Sequence, residues 1–254
     1  MVLTERLKQA RKARGLSQLE LSMRMGVSQR HVSFVESGRS RPSRELLLGW
    51  LTTLDLPLAS QNAAMLEAGY APSYTAVPLE DPALGVAHQA IVKLLEAHDP
   101  MPALVLDSHW NLVRANRGGF WLAATLLPWA QGPMNLLDLM AHPEGFLKGV
   151  TNLDEVAPSM LAHLREAAVA QPALLPRVEA VARLIEGRLG KVRPTGHKMP
   201  PVMTTRFATP HGELAFFSMF TTFGTPQDIT LESLRVEHMF AADEKTRETL
   251  ERLV

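Results

Sequence analysis

SQLELSMRMGVSQRHVSFVE, Ser17 to Glu36, is the stretch on which the reading of this chain turns. It predicts two short helices joined by a tight turn. Ser17 opens the first helix, its hydroxyl placed to accept a backbone N–H. Gly26 ends that helix, because a positive φ costs glycine little. Val27 plugs the turn and Ser28 caps the second helix. Val32 and Val35, spaced i, i+3, face inward against Leu21 and Met25 of the first helix. Two such faces bury each other only when the helices cross steeply, which is a helix-turn-helix.

The flanking sequence completes a small domain. Residues 4–14 predict an earlier helix with Thr4 as its cap and Leu7 and Ala10 inward. Arg6, Lys8, Arg11, Lys12 and Arg14 lie around its outside, and Gly15 stops it. Gly38 closes the second motif helix. Pro42 and Ser43 start a fourth helix, running to about Leu54, with Leu46, Leu47, Trp50, Leu51 and Leu54 as its inner face. Pro57 begins a fifth, closed by Gly69. Residues 1–69 are therefore expected to form an all-α five-helix domain.

This pattern resembles the helix-turn-helix of phage repressors, Cro and the bacterial xenobiotic-response-element type regulators. Leu16-Ser17-Gln18, Leu21-Ser22, Gly26-Val27-Ser28, Val32-Ser33, Glu36, Gly38 and Arg41-Pro42-Ser43 carry the likeness. Ser22 stands where that family more often has alanine, and both are small enough for the helix crossing. The second helix of such a motif lies in the major groove with its N-terminal residues at the base edges. That places Ser28, Gln29, Arg30, His31 and Ser33 toward DNA. Gln29 suits adenine N6/N7 and Arg30 suits guanine O6/N7. The resemblance implies that Gln18 contacts phosphate and braces Gln29. Arg39, Arg41 and Arg44 are placed for the phosphate backbone, which supplies affinity without sequence. Phe34 packs at the domain edge or touches a thymine methyl. Glu36 reads as a structural ion pair. One module has too little contact to be specific alone, so a homodimer on a pseudo-palindromic operator of double-stranded DNA is expected.

Charge agrees with that division of labour. The chain is formally neutral over 254 residues, yet residues 1–45 hold ten Lys/Arg against four Asp/Glu, a net +6 that leaves −6 for the remainder. A basic small domain joined to an acidic larger one suits a DNA reader with a non-DNA partner domain. The chain has no cysteine, which excludes disulfides and thiolate metal sites. No apolar run reaches about 18 residues, so no membrane helix is expected, and the N-terminus carries no signal-peptide core. The cytoplasm is the expected compartment.

Tyr70 to Pro82, punctuated by proline and without helical period, reads as a linker. Residues 83–254 then alternate. A helix covers Ala83–Ala97, and Ala103–Asn116 reads as a β-hairpin. Helices follow at 117–127, 136–139, 144–149, 157–170 and 176–187. Val202–Ala208 and Glu213–Phe223 read as strands about a turn, with a further strand within 229–240 and a last helix at 244–253. The class is multi-domain: the helical domain, then an α+β domain with one antiparallel sheet. Val105-Leu106-Asp107, Trp110-Asn111-Leu112-Val113, Ala115-Asn116 and Phe240-Ala241-Ala242-Asp243-Glu244 with Thr246-Arg247 resemble the MmyB-like regulators. That resemblance implies a PAS-like ligand-binding domain and a fatty-acid-like or other small apolar ligand.

The second region is rich in Met and Phe, which suits an adaptable apolar surface. Along Glu213–Phe223 alternate residues face opposite sides, and both sets hold large apolar groups. The sheet is therefore covered on both sides or lines a cavity. Phe120, Trp121, Met134, Phe216, Met219 and Phe220 are candidate ligand contacts, though a Met/Phe stripe also reads as plain core. A ligand carboxylate would need a buried cation. Arg206 is the candidate in a strand; Arg114, Arg117 and His142 are others. The nine histidines are scattered. No His-Glu-x-x-His, Gly-x-Ser-x-Gly, P-loop or Gly-x-Gly-x-x-Gly occurs. No catalytic residue, metal site or cofactor is expected. The function expected is a ligand-sensing transcription regulator. The alternative is an antitoxin or architectural repressor whose second domain, packed without a cavity, binds a protein.

Overall fold

The computed structural model describes residues 3–190 and 201–254. The chain divides into two units, one formed by Met1–Asp81 with Gly224–Glu232, the other by Pro82–Phe223 with Ser233–Val254.

The first unit holds α1 (Leu3–Ala13), α2 (Gln18–Met25), α3 (Gln29–Glu36), α4 (Arg44–Thr53) and α5 (Leu58–Glu67). Its core is Leu7, Leu21, Val32, Val35, Leu47, Trp50, Leu51, Leu54 and Met65, all essentially inaccessible. Burying that many large apolar side chains stabilises a small unit by about 1.5–3 kcal/mol each. The turn chemistry is as expected. Ser17 and Glu20 form a reciprocal capping box, Gly26 is left-handed at φ 65°, and Ser28 accepts from the His31 N–H.

The stretch expected to be a linker is held within this unit. The Tyr70 hydroxyl donates to the Pro42 carbonyl, and Asn62 Oδ1 accepts from the Ser73 and Tyr74 N–H groups. Thr75 donates to Asp228 Oδ2 at 2.6 Å, and the Ile229 N–H donates to the Thr75 carbonyl. Segment 224–232 therefore belongs by its contacts to the helical unit, although the chain places it far downstream. Contacts group 224–232 with the helical unit and leave 82–223 and 233–254 as the other. Asp228 is the reason: buried, it accepts from Thr75, Val77 and Thr230 together.

The second unit contains α6 (Gly85–His98), β1 (Ala103–Leu106), β2 (Leu112–Ala115), α7 (Arg117–Leu126), α8 (Leu136–Ala141), α9 (Phe146–Gly149), α10 (Leu153–Ala170) and α11 (Leu175–Leu189). β3 (Thr205–Thr209), β4 (Gly212–Thr222), α12 (Ile229–Ser233), β5 (Arg235–Ala241) and α13 (Glu244–Leu253) follow. α12 falls largely in the segment that joins the helical unit. The five strands form one antiparallel sheet in the order β2-β1-β5-β4-β3. The latest strand, β5, is central and is paired on both edges, so the sheet is completed only when the end of the chain arrives.

Register assigns the faces. Phe220 pairs with Glu237, Ser218 with Met239 and Leu104 with Glu237, so these residues share one face. That face joins α7 to α11 in a core containing Leu106, Leu122, Leu137, Leu147, Leu161, Phe207 and Phe216. On the other face, His98 of α6 meets His238 and Phe240 edge-on, each at 4.8 Å. The sheet is thus covered on both sides.

Candidate functional site

Two surfaces hold the candidate functional side chains, one in each unit. In the helical unit, Val32 and Val35 turn inward on α3, which leaves Gln29 and Arg30 exposed and His31 and Ser33 half-buried at its N-terminal end. Phe34 is half-buried and carries cations: the Arg30 and Arg39 guanidinium carbons lie 5.1 and 5.9 Å from its ring centroid. Arg30 four residues before it and Arg39 five residues after it were the signal for that role.

The arginines of this unit divide into two groups. Arg11, expected on the outside of α1, is buried. Its Nε and Nη2 donate to the two Glu36 oxygens at 2.7 and 2.9 Å, and Nη1 donates to the Leu16 carbonyl. Its spacing from Leu7, i, i+4, puts it on the inner face. Gln18 adds a third bond to that carboxylate at 2.8 Å, so its amide is turned into the unit rather than toward Gln29. Burial alone would raise Glu36, but the hydrogen bonds from Arg11 and Gln18 and the charge of Arg11 hold it below the usual carboxylate range. Arg6 pairs with Glu67 and Arg14 with Asp55, so neither is simply a solvated outer charge. Arg41 donates to the Ala68 carbonyl at the end of α5 and lies over the Tyr70 ring, while Arg44 donates to Ser73. Arg39 is exposed beyond α3.

In the second unit a cavity of about 150 Å³ lies between the sheet and helices α7 to α10. Leu104, Leu122, Ala123, Met140, Phe146, Phe207, Phe216 and Met239 supply most of its wall. Its polar wall is Thr205, Ser218 and Glu237, and no Lys, Arg or His lines it among the described residues. Gly119 also borders it. At Gly118 a Cβ would stand 2.2 Å from the Pro100 carbonyl oxygen, and at Gly119 it would stand 2.9 Å from the Ala103 carbonyl oxygen. Glycine at both positions lets α7 lie close against β1.

Of the residues named as ligand contacts, Phe216 lines this cavity. Phe120 is 53% exposed on the outer side of α7, and Trp121 lies against His211. Met134 borders a separate cavity with Trp129 and Arg177. Met219 and Phe220 are 57% and 44% exposed and line a groove with Val156 and Met203. Arg206 is exposed, because strand alternation points its neighbours Thr205 and Phe207 into the cavity instead. Arg114 is half-buried on β2 and does not line it. Arg117 pairs with Asp99, and His142 lies tilted against Trp129.

Two charged residues of β5 escaped the sequence reading. Glu237 lines the cavity and accepts from the Ser218 hydroxyl at 2.7 Å. Burial pushes its carboxyl above the ordinary range, against the Ser218 hydrogen bond and the Arg235 charge. Arg235, two residues along on the same face, has its guanidinium carbon 3.8 Å from the Trp110 ring centroid and 5.6 Å from that of Phe220. Its Nε and Nη2 are buried without a hydrogen-bond partner, and burial lowers its pKa against the charges of Glu237 and Asp107. The legible signal was RVEHM: charged residues alternating with apolar ones inside a strand.

Comparison with protein families finds a match in each unit. Residues 7–60 match the helix-turn-helix model, and residues 87–253 match the model of the MmyB-like transcription regulator ligand binding domain. Both describe regulator domains rather than enzymes. Comparison with curated proteins returned no match. Among the described residues no group of three or more His, Cys, Asp or Glu could hold a metal ion, and no helix is long and apolar enough to cross a membrane.

Proposed function

The chain belongs to the MmyB-like transcription regulators, and from that premise we propose a sequence-specific regulator that binds a pseudo-palindromic operator as a homodimer and acts in the cytoplasm, where its DNA is. Gln29 and Arg30 read bases. His31, Ser33 and Ser28 support them at the groove, and Arg39 engages phosphate. Arg41 and Arg44 each bond within the unit through one guanidinium nitrogen and keep further N–H donors for phosphate. Gln18 acts through Glu36, orienting α3 rather than touching DNA.

The second unit senses a small apolar ligand in the cavity beneath its sheet, with a fatty-acid-like aliphatic body as the fitting class. Phe216 is one wall; Trp121, Phe120, Met134, Met219, Phe220 and Arg206 contribute only if that wall rearranges. A space near this size takes a benzene-sized body or a short aliphatic chain, so a longer chain enters only if the wall gives way. The cavity also weighs against a second domain that is packed solid and dedicated to a protein partner. Ligand controls DNA binding only if it binds the DNA-competent and incompetent forms with different affinity.

The observation that carries the reading is the exposed Arg30–Gln29 end of α3 on a unit whose buried arginine is committed to its own fold. Selection of operator sequences by the purified protein, repeated with Arg30→Ala, tests it. The expected outcome is loss of discrimination at one base position, about 1–3 kcal/mol, with weak nonspecific binding retained. Equal loss on all sequences would make Arg30 a phosphate contact.

A further inference from the structure

We propose that the cavity selects a ligand whose apolar body ends in a hydrogen-bond-donating head, a hydroxyl or an amine, and that Glu237, braced by Ser218, receives that head. The inference rests on the cavity being the ligand site and adds the chemistry of its polar end. Glu237 is the one ionisable residue on the described wall. Ser218 supplies it a single hydrogen bond at 2.7 Å. A carboxyl group has about four acceptor positions, so acceptor capacity remains toward the cavity. A carboxyl on an apolar wall is costly unless hydrogen-bonded, and a donor head fills that need.

A carboxylate head fits poorly. It would have to shed its water for an apolar wall that holds no cation among the described residues, and a single proton from the neutral form of Glu237 would be the one donor the wall offers it beyond the Thr205 and Ser218 hydroxyls. Arg235 shares that face without lining the cavity, and its guanidinium lies against Trp110 and Phe220. Burial favours the neutral form of Glu237, which both donates and accepts and so suits a hydroxyl. Its ionised form suits an ammonium group.

Calorimetric titration of the purified full chain with octan-1-ol, octylamine and octanoate at neutral pH compares three heads on one tail. Octanol and octylamine are expected to bind at least about tenfold more tightly than octanoate, the effect of one charge-assisted or well-buried hydrogen bond. In Glu237→Gln, octylamine is expected to weaken by about tenfold and octanoate to strengthen. Should that variant fail to fold, Ser218→Ala must still narrow the preference for the donor heads, and an unchanged preference would overturn the assignment. Ala123→Trp, which fills the cavity, must abolish binding of all three. Octanoate binding as well as or better than the others, yet still blocked by Ala123→Trp, would overturn the donor-head assignment alone. Failure of all three to bind, or binding indifferent to Ala123→Trp, would overturn the ligand-site reading and this inference together.

Discussion

Arg11 and Glu36 stand 25 positions apart and meet in a buried, two-pronged ion pair with side chains 8% and 3% exposed. Neither charge is left to water, so removing one partner strands the other. Glu36→Ala is expected to destabilise the chain by about 3–5 kcal/mol in urea unfolding. The pH dependence follows from the direction of the shift. Glu36 is lowered in the fold, so its contribution is complete above the ordinary carboxyl range and is lost as pH falls through the folded value. Thermal stability of the wild type should therefore decline below about pH 4, and Glu36→Gln should remove that part of the acid limb. The same pair orients α3 from beneath, since Glu36 ends the helix that carries Arg30. Operator affinity should fall in Glu36→Ala even where the protein remains folded.

At the scale of elements, two glycines show different physics. Gly26 ends α2 at φ 65°, and a Cβ there would meet nothing within 4 Å. Its requirement is conformational alone, so Gly26→Ala should cost about 1–2 kcal/mol, the penalty of left-handed backbone for an L-residue. Gly118 has no such φ, but a Cβ would collide with the Pro100 carbonyl at 2.2 Å. Backbone cannot yield as a flexible side chain does. Gly118→Ala should therefore destabilise more than Gly26→Ala in parallel denaturation, by moving the start of α7 off the Pro100–Met101 backbone. Because α7 supplies Leu122, Ala123 and Leu126 to the cavity wall, that variant should also weaken binding of the octyl probes.

The whole molecule is joined by more than one crossing. The chain passes between the units at 81–82, 223–224 and 232–233. β4 and β5, which carry Ser218 and Glu237, thus bracket a segment bonded into the helical unit through Asp228. The Asp228 carboxyl, buried, is held below the usual range by the Thr75 hydroxyl and the Thr230, Val77 and Leu231 N–H groups, which outweigh desolvation. Asp228→Ala removes the acceptor of the Thr75 hydroxyl and should cost about 1–3 kcal/mol, with faster amide exchange across residues 224–232. Operator binding and probe binding should each survive, while the change in operator affinity caused by ligand should shrink. An undiminished ligand effect, measured by DNA titration with and without octanol, would remove this segment from the coupling.

Local chemistry was sufficient for the helix-turn-helix. Capping serines, Gly26 and the i, i+3 valines each act within a few residues, so sequence determined α2, the turn, α3 and which residues at its N-terminal end are exposed. Strand alternation likewise determined that β4 has two apolar faces and that the second unit is α+β. What sequence could not decide depends on partners far along the chain. Arg11 looked like one more surface cation until Glu36, 25 residues on, came beneath it. The stretch 70–82 looked like a linker until Asp228, brought back by β4 and β5, tied it down. The cavity wall depended on register: pairing of Leu104, Ser218 and Phe220 with the last strand set Glu237 inside, and alternation on β3 set Arg206 outside. A strand's period assigns residues to two faces, and only the assembled sheet says which face is covered, by what, and where space is left.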